Sequence, residues 1–352
     1  MPFCPSGARR REVRYPSAMT NRRSISRQLG LAAIGFLATL VILLGTLGVI
    51  SRAGPAGRPS PPVGSQVTIG SPRPSASPTD AGPSVSGDPV LIGAGDIADC
   101  GPTGDEATAP IVESIAGTVF TAGDNAYPDG SLDQYTRCYA PTWGQFKNRT
   151  RPAPGNHEYQ TPKAAGYLAY FGAAATNAQG KTWYSYDLGS WHVIVLDSNC
   201  AFVGGCGPDS EQVRWLGADL AASKALCSVA IWHHPRFSSG EHGDDPAMDP
   251  FWRALYTAGV DVVINGHDHD YERLAPQDPS GKADSVRGIR EFVVGTGGTT
   301  LRKFRATAVA NSELRTSLSP GVLKLTLHST TYDWSFIPTS KAFSDSGSAP
   351  CH

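Results

Sequence analysis

Side chains that commonly bind metal ions cluster at five places in this chain, and four of the clusters follow a short apolar run. They are Gly95-Asp96, Gly123-Asp124 with Tyr127, Gly155-Asn156-His157-Glu158, His233-His234 and Gly266-His267-Asp268-His269. Short apolar runs indicate buried strands, which places these clusters at strand ends. Because ligands bind beyond the carboxyl ends of strands in open α/β sheets, we expect the five clusters to form one site.

Each cluster taken alone has an ordinary explanation, since Gly-Asp and Gly-Asn-His often form turns and a lone histidine is usually a packed core residue. The joint composition of the clusters indicates a metal site instead, because oxygen and imidazole donors suit two hard or borderline cations. A single structural zinc ion would need four ligands and would favour cysteine. The seven candidate metal ligands are Asp96, Asp124, Tyr127, Asn156, His233, His267 and His269.

The order of the clusters resembles that of the calcineurin-like metallophosphoesterases and, among them, the purple acid phosphatases. That family shows the blocks GDx, GDxxY, GNH(D/E), a strand ending in His, and GHxH, and all five occur here between Asp96 and His269. The segment 270–273 also resembles the purple acid phosphatase sequence after GHxH. The resemblance covers residues 89–352 and implies a phosphoric ester hydrolase with two metal ions.

One departure from the general family pattern concerns the first metal site. Most metallophosphoesterases carry a histidine two residues after the first aspartate, where this chain has Ala98. Purple acid phosphatases also lack that histidine and use the tyrosine of GDxxY as a ligand, which corresponds to Tyr127. A phenolate in place of an imidazole makes the site harder, which favours Fe(III). Alternatively, Tyr127 is only an aromatic residue in a Tyr-Pro-Asp-Gly turn.

The resemblance implies how the ligands divide between the two ions. The first, Fe(III), would be held by Asp96, Asp124, Tyr127 and His269. The second, an Fe(II), Zn or Mn ion, would be held by Asp124, Asn156, His233 and His267. Asp124 would therefore bridge the two ions.

Two further histidines are candidates for the catalytic role of stabilising or protonating the leaving oxygen. His157 directly follows a candidate ligand, as in the family. His242 lies nine residues after His233, in a Glu-His-Gly sequence like that of mammalian-type purple acid phosphatases. His234 is expected to have a structural role.

Alternating apolar runs and helical segments in residues 89–352 predict an α/β domain. Strands are predicted at 90–94, 119–122, 183–188, 191–196, 229–232, 260–264, 289–294 and within 322–336, and helices at 210–223 and 249–258. The pair at 183–196 and the late strands suggest antiparallel additions. The predicted fold is α/β with an α+β leaning, a four-layer α-β-β-α sandwich of two mixed sheets flanked by helices.

The first 88 residues differ in composition from this domain. Residues 1–28 carry seven Arg and one Glu, and residues 29–50 carry no charge. Such an uncharged helix spans about 33 Å, enough for a hydrocarbon core of about 30 Å. Residues 51–88 include 22 Pro, Ser or Gly. We predict a basic cytoplasmic tail at 1–28, a transmembrane signal anchor at 29–50, a disordered linker at 51–88 and the catalytic domain outside the cell. Secretion after signal cleavage is the alternative.

The charge and the cysteine content indicate which partners and which disulfides to expect. The net charge of -1 is the sum of +6 on residues 1–28 and -7 on residues 29–352. Because residues 29–352 are acidic, they are not expected to bind nucleic acid, which needs a basic surface. Six cysteines follow the predicted anchor, and an even number in an exported domain predicts disulfides. The pairs expected are Cys100–Cys138 and Cys200–Cys206. The predicted partner is a small phosphate monoester; a phosphodiesterase and a non-catalytic binder of phosphorylated polymers are the alternatives.

Overall fold

The computed structural model describes residues 87–101, 104–341 and 343–352. The predicted tail, the predicted anchor and all but the last two residues of the predicted linker lie outside these ranges. Among the helices that the structure describes, none is long and apolar enough to cross a bilayer.

The described residues form strands and helices that largely alternate over residues 90–265, and strands alone follow over residues 271–350. The strands are β1 Val90–Ala94, β2 Thr118–Ala122, β3 Thr150–Ala153, β4 Tyr184–Leu188, β5 Trp191–Val195, β6 Cys227–Ile231, β7 Val262–Asn265, β8 Tyr271–Leu274, β9 Arg290–Val294, β10 Ser312–Thr316, β11 Gly321–Leu327, β12 Thr331–Pro338 and β13 Asp345–Pro350. The α-helices are α1 Asp105–Glu113, α2 Leu132–Gln134, α3 Ala165–Phe171, α4 Glu211–Ala222 and α5 Asp249–Ala258. Every strand and helix predicted from the sequence is present, with ends within about two residues of the prediction.

The strands form two mixed sheets. One has six strands in the order β13-β12-β11-β1-β2-β3, and the other has seven in the order β10-β8-β9-β7-β6-β5-β4. Strands β1 to β3 are parallel, as are β5, β6, β7 and β9, whereas the outer strands pair in antiparallel fashion. The prediction of a mixed α/β fold with two sheets is confirmed.

Strand β6 shows how the layers pack, because alternate side chains of a strand point to opposite faces. Val229 and Ile231 join a core that also contains side chains of β1 and β11 from the other sheet. Ala230, between them, joins a second core with Leu216 of α4 and Leu255 of α5. The two sheets therefore pack face to face, and α4 and α5 cover the outer face of the seven-stranded sheet.

Three disulfides are present in the described chain, with sequence separations of 6, 38 and 124 residues. Cys100–Cys138 and Cys200–Cys206 are present, which confirms both predicted pairs. The third, Cys227–Cys351, closes a separation of 124 residues. It links the first residue of β6 to the segment after β13, and thus one sheet to the other. Long closed loops of this kind restrict the unfolded chain most.

Candidate metal centre

Five loops bring the predicted ligands together. In the six-stranded sheet Asp96 follows β1, Asp124 follows β2 and Asn156 follows β3. In the seven-stranded sheet His233 follows β6 and His267 follows β7. Because each set of strands is parallel, each set of loops lies at one edge of its sheet. The two edges meet in space, as the contacts below show.

One group of donor atoms surrounds the hydroxyl of Tyr127. That oxygen lies 2.7 Å from Asp96 Oδ1, 3.1 Å from Asp124 Oδ2 and 3.3 Å from His269 Nε2. Nε2 of His269 is also 3.3 Å from Asp96 Oδ1. Burial, and then the charges of Asp124 and Asp96, raise the pKa of Tyr127 well above its ordinary value. A cation among these atoms would favour the phenolate instead.

A second group surrounds Nε2 of His233. This atom lies 3.1 Å from Asp124 Oδ2, 3.0 Å from Asn156 Oδ1 and 3.2 Å from His267 Nδ1. Oδ2 of Asp124 thus contacts both groups of donors. All seven predicted ligands fall into these two groups, in the division that the family resemblance implies for two ions.

The imidazoles are oriented so that a nitrogen faces the cluster. Nδ1 of His233 donates to the carbonyl of Ala122 at 2.8 Å, and Nδ1 of His269 donates to the carbonyl of Thr300 at 2.9 Å. Nε2 of each ring is left for the cluster, as in histidines that bind metals. Burial lowers the pKa of His233, but the charge and hydrogen bond of Asp124, the charge of Asp96 and the hydrogen bond to Ala122 together outweigh burial and raise the pKa to about 9. A cation here would replace the proton on Nε2, so the donor set fits metal ions.

Backbone strain is concentrated at the same place. Asp96, Asp124 and His267 have φ of 59°, 49° and 72°, in the left-handed region. For residues with a Cβ this conformation costs about 1–2 kcal/mol each. Such strain persists only where the surrounding structure enforces it, which is typical of functional sites.

Two glycines allow the loops to approach one another. A Cβ at Gly155 would lie 2.2 Å from Asp124 Oδ1. A Cβ at Gly123, whose φ is +86°, would lie 2.6 Å from His233 Nδ1. Any side chain at either position would therefore displace a candidate ligand.

Comparison with known proteins agrees with this geometry. The family model for calcineurin-like phosphoesterases matches residues 81–271. The chain belongs to the calcineurin-like phosphoesterase family. The predicted resemblance is thereby confirmed, and purple acid phosphatases are among the relatives of this phosphoesterase.

Three similar proteins show how much of the chain can be matched to known proteins. An uncharacterised protein of Mycobacterium tuberculosis is 31% identical over 238 residues, which cover 53% of this chain and 45% of that protein. Purple acid phosphatase 15 of Arabidopsis thaliana is 32% identical over 149 residues, 37% of this chain and 27% of the plant protein. A purple acid phosphatase structure from yellow lupin (Lupinus luteus) superposes with a TM-score of 0.61 at 18% identity, covering 75% of this chain and 54% of the other. The matches cover less than half of the length of the mycobacterial and Arabidopsis proteins and about half of the lupin chain.

Glu158 is a site residue that the sequence analysis left without a role. Its buried carboxylate accepts hydrogen bonds from the backbone N–H groups of Asp124, Asn125 and Gly155, at 3.0, 2.9 and 2.6 Å. The hydroxyl of Tyr135 donates the fourth, at 2.9 Å. Glu158 therefore joins the loop that carries one ligand to the loop that carries another. The acidic last position of the GNH(D/E) block was the available signal.

The two predicted catalytic histidines flank the donor cluster. The ring of His157 packs against Tyr127 with centroids 4.3 Å apart, and its Nε2 is 3.8 Å from Asp124 Oδ2. The ring of His242 stacks on His267 with centroids also 4.3 Å apart, and Arg302 donates a hydrogen bond to its Nε2. Both rings are thus close enough to the cluster to reach a substrate bound there.

Two neighbouring residues support the histidine side of the site. Nδ1 of His234 lies 2.7 Å from Ser198 Oγ, and burial together with the charge of His233 lowers the pKa of His234 to about 3. This contact fits the structural role expected for it. Asp268, which the sequence analysis did not single out, accepts a hydrogen bond at 2.8 Å from the backbone N–H of His242. It thereby fixes the loop on which that histidine lies.

Proposed function

We propose that this phosphoesterase is a metal-dependent phosphatase of the purple acid phosphatase type that hydrolyses phosphate monoesters outside the cytoplasm. The observation that carries the proposal is the position of Asp124. Its Oδ2 lies 3.1 Å from both Tyr127 Oη and His233 Nε2, so one carboxylate connects an oxygen-rich group of donors with an imidazole-rich group.

The proposed ligands divide between two ions as their contacts divide. The Fe(III) ion would be held by Asp96, Asp124, Tyr127 and His269. The Fe(II), Zn or Mn ion would be held by Asp124, Asn156, His233 and His267. When bound, the ions supply Lewis acidity and activate a water for attack on phosphorus.

The remaining chemistry belongs to side chains of the protein. The leaving oxygen needs a proton, and His157 and His242 are the groups at the edge of the cluster that could supply it. Nε2 of His242 accepts a hydrogen bond from Arg302, which leaves Nδ1 to carry the proton of the neutral ring. His242 would therefore stabilise the leaving oxygen through a hydrogen bond from Nδ1, and transfer of a proton to that oxygen would need the imidazolium form of the ring.

The proposed location rests on the sequence of residues 1–88 and on the disulfides. Disulfides persist in oxidising compartments, and three are present in the described domain. A single-pass anchor with the domain outside the cell, or secretion after cleavage, would give the site access to phosphate esters that cannot cross the membrane.

Elemental analysis and phosphate release together test the proposal. Full-length protein purified in detergent should contain two metal ions per chain, at least one of them iron, and should release phosphate from an aryl phosphate. Asp124→Ala should lose both metal loading and turnover. Metal-loaded protein that releases no phosphate would favour the non-catalytic binder, and faster cleavage of a diester than of a monoester would favour the phosphodiesterase.

A further inference from the structure

A segment rich in positive charge is attached directly to the candidate metal centre. It comprises Arg302, Lys303, Phe304 and Arg305, which we call the basic segment. The carbonyl of Thr300 accepts a hydrogen bond from His269 Nδ1 at 2.9 Å, and the N–H of Arg302 donates to the carbonyl of His269 at 2.9 Å. The basic segment is therefore held in place by one of the proposed ligands.

Its three cations have different surroundings. The guanidinium of Arg305 donates to the carbonyls of Glu241 and His242. Arg305 therefore has a structural role, because it links two loops. Arg302 contacts His242 Nε2 and lies 3.8 Å from a carboxylate oxygen of Glu241. Lys303 is exposed and has no hydrogen bond or ion pair with any residue that the structure describes. Within the described residues, no partner accounts for its charge.

These residues form a concave surface beside His242, which Arg302 and Arg305 contact. Together with Glu241 they line a cleft of about 440 Å³. The cleft carries three positive charges and one negative charge, so its net charge is positive although the body of the chain is acidic. A guanidinium offers several donors in a planar fork that matches carboxylate and phosphate oxygens. An ammonium adds a compact charge for the same kind of group.

We propose that this cleft binds a second oxyanion group of the substrate while the metal centre holds the phosphate to be cleaved. The enzyme would then prefer phosphate esters that carry a further carboxylate or phosphate. This inference rests on the proposed function, because it assigns a substrate class to the same site. Arg302 and Lys303 are the specificity-determining residues.

The test compares three matched esters: propyl phosphate, the same ester with a terminal carboxylate, and the same ester with a terminal phosphate. Wild-type protein should show a higher kcat/KM for the two charged esters. Arg302→Gln and Lys303→Gln should each lower the charged-to-neutral ratio by about tenfold, since a hydrogen bond to a charged group is lost. Lys224→Gln is the control, because Lys224 is also exposed and precedes β6, at the opposite end of that strand from His233.

Equal losses on all three esters, or an unchanged ratio in both variants, would overturn the proposal. A binding measurement separates its failure from that of the proposed function. Calorimetry should show that metal-loaded wild-type protein binds inorganic pyrophosphate more tightly than inorganic phosphate, and that both variants lose this preference. If no ester is hydrolysed, the phosphatase proposal fails, and the calorimetry still shows whether the cleft binds a second oxyanion group. Equal pyrophosphate affinity in wild-type protein and variants would exclude it.

Discussion

Replacing Glu158 with glutamine should destabilise the domain and empty the proposed metal centre together. The carboxylate is buried and accepts four hydrogen bonds, two at each oxygen. Burial and the charge of Asp124 raise the pKa of Glu158, and the hydrogen bonds from Gly155 and Tyr135 oppose that shift. Among the described residues no other acceptor contacts these four donors, so the side chain serves as a shared acceptor for two loops.

The magnitude follows from the geometry. Glutamine keeps the shape of the side chain but turns one acceptor oxygen into an NH₂ group, which is a donor. Whichever oxygen is replaced, two hydrogen bonds are lost and two donors then face a donor. A hydrogen bond to a charged group contributes about 1.5–3 kcal/mol, so Glu158→Gln should lower the free energy of unfolding by about 3–6 kcal/mol.

Urea unfolding followed by tryptophan fluorescence measures this loss, and elemental analysis of the purified variant measures metal content. Metal content should fall because the N–H of Asp124 is one of the groups that Glu158 holds. Glu113→Gln, at the exposed end of α1, is the matched control and should change neither quantity. A loss below about 1 kcal/mol with full metal loading would show that Glu158 does not organise the site.

Three other predictions concern single side chains. Tyr127→Phe should abolish the visible absorbance expected of a phenolate on Fe(III), as an absorption spectrum and iron analysis would show; colour that persists would exclude Tyr127 as the ligand. His242→Ala should keep its metal and lose about 10²–10⁴-fold in kcat on alkyl phosphates but less on nitrophenyl phosphate, and equal losses would exclude the acid role. His192 contacts Asp219 and Asp187 at 2.9 Å each, and the hydrogen bond to Asp219 raises the pKa of its imidazole. The stabilising contribution of protonated His192 should be complete below about pH 6.5 and should be lost as pH rises through the raised pKa. The free energy of unfolding should therefore decline less steeply above about pH 6.5 in His192→Gln than in wild-type protein.

The chemistry of the site could be predicted from the sequence because ligand types are specific. Carboxylate, phenolate, amide and imidazole groups at short, fixed spacings have few common uses together. The helix at 249–258 was predicted with its observed bounds, and the central strands within about two residues, since buried elements show their periodicity in the residues themselves. Two disulfide pairs could be predicted for a related reason, because their loops follow neighbouring clusters or close on themselves.

The edge strands β3, β10 and β13 could not be predicted in this way, whereas β4, which also lies at a sheet edge, was predicted. Strand β13 has the sequence DSGSAP, which shows no apolar alternation. Its pairing with β12 is made by backbone groups, which every residue carries, so its composition does not reveal it. Asp345 in this strand accepts hydrogen bonds at 2.7 Å from Tyr271 and Arg273 of β8, contacts that span more than 70 residues.

The sequence by itself determined which residue types could bind metal ions and which elements carry them. The tertiary structure decided which atoms of these side chains are in contact. Oδ2 of Asp124 meets His233 only because the two sheets pack face to face, and Arg302 meets His242 across 60 residues of chain. Contacts at such separations depend on how whole elements pack, and local patterns of residues contain no information about that packing.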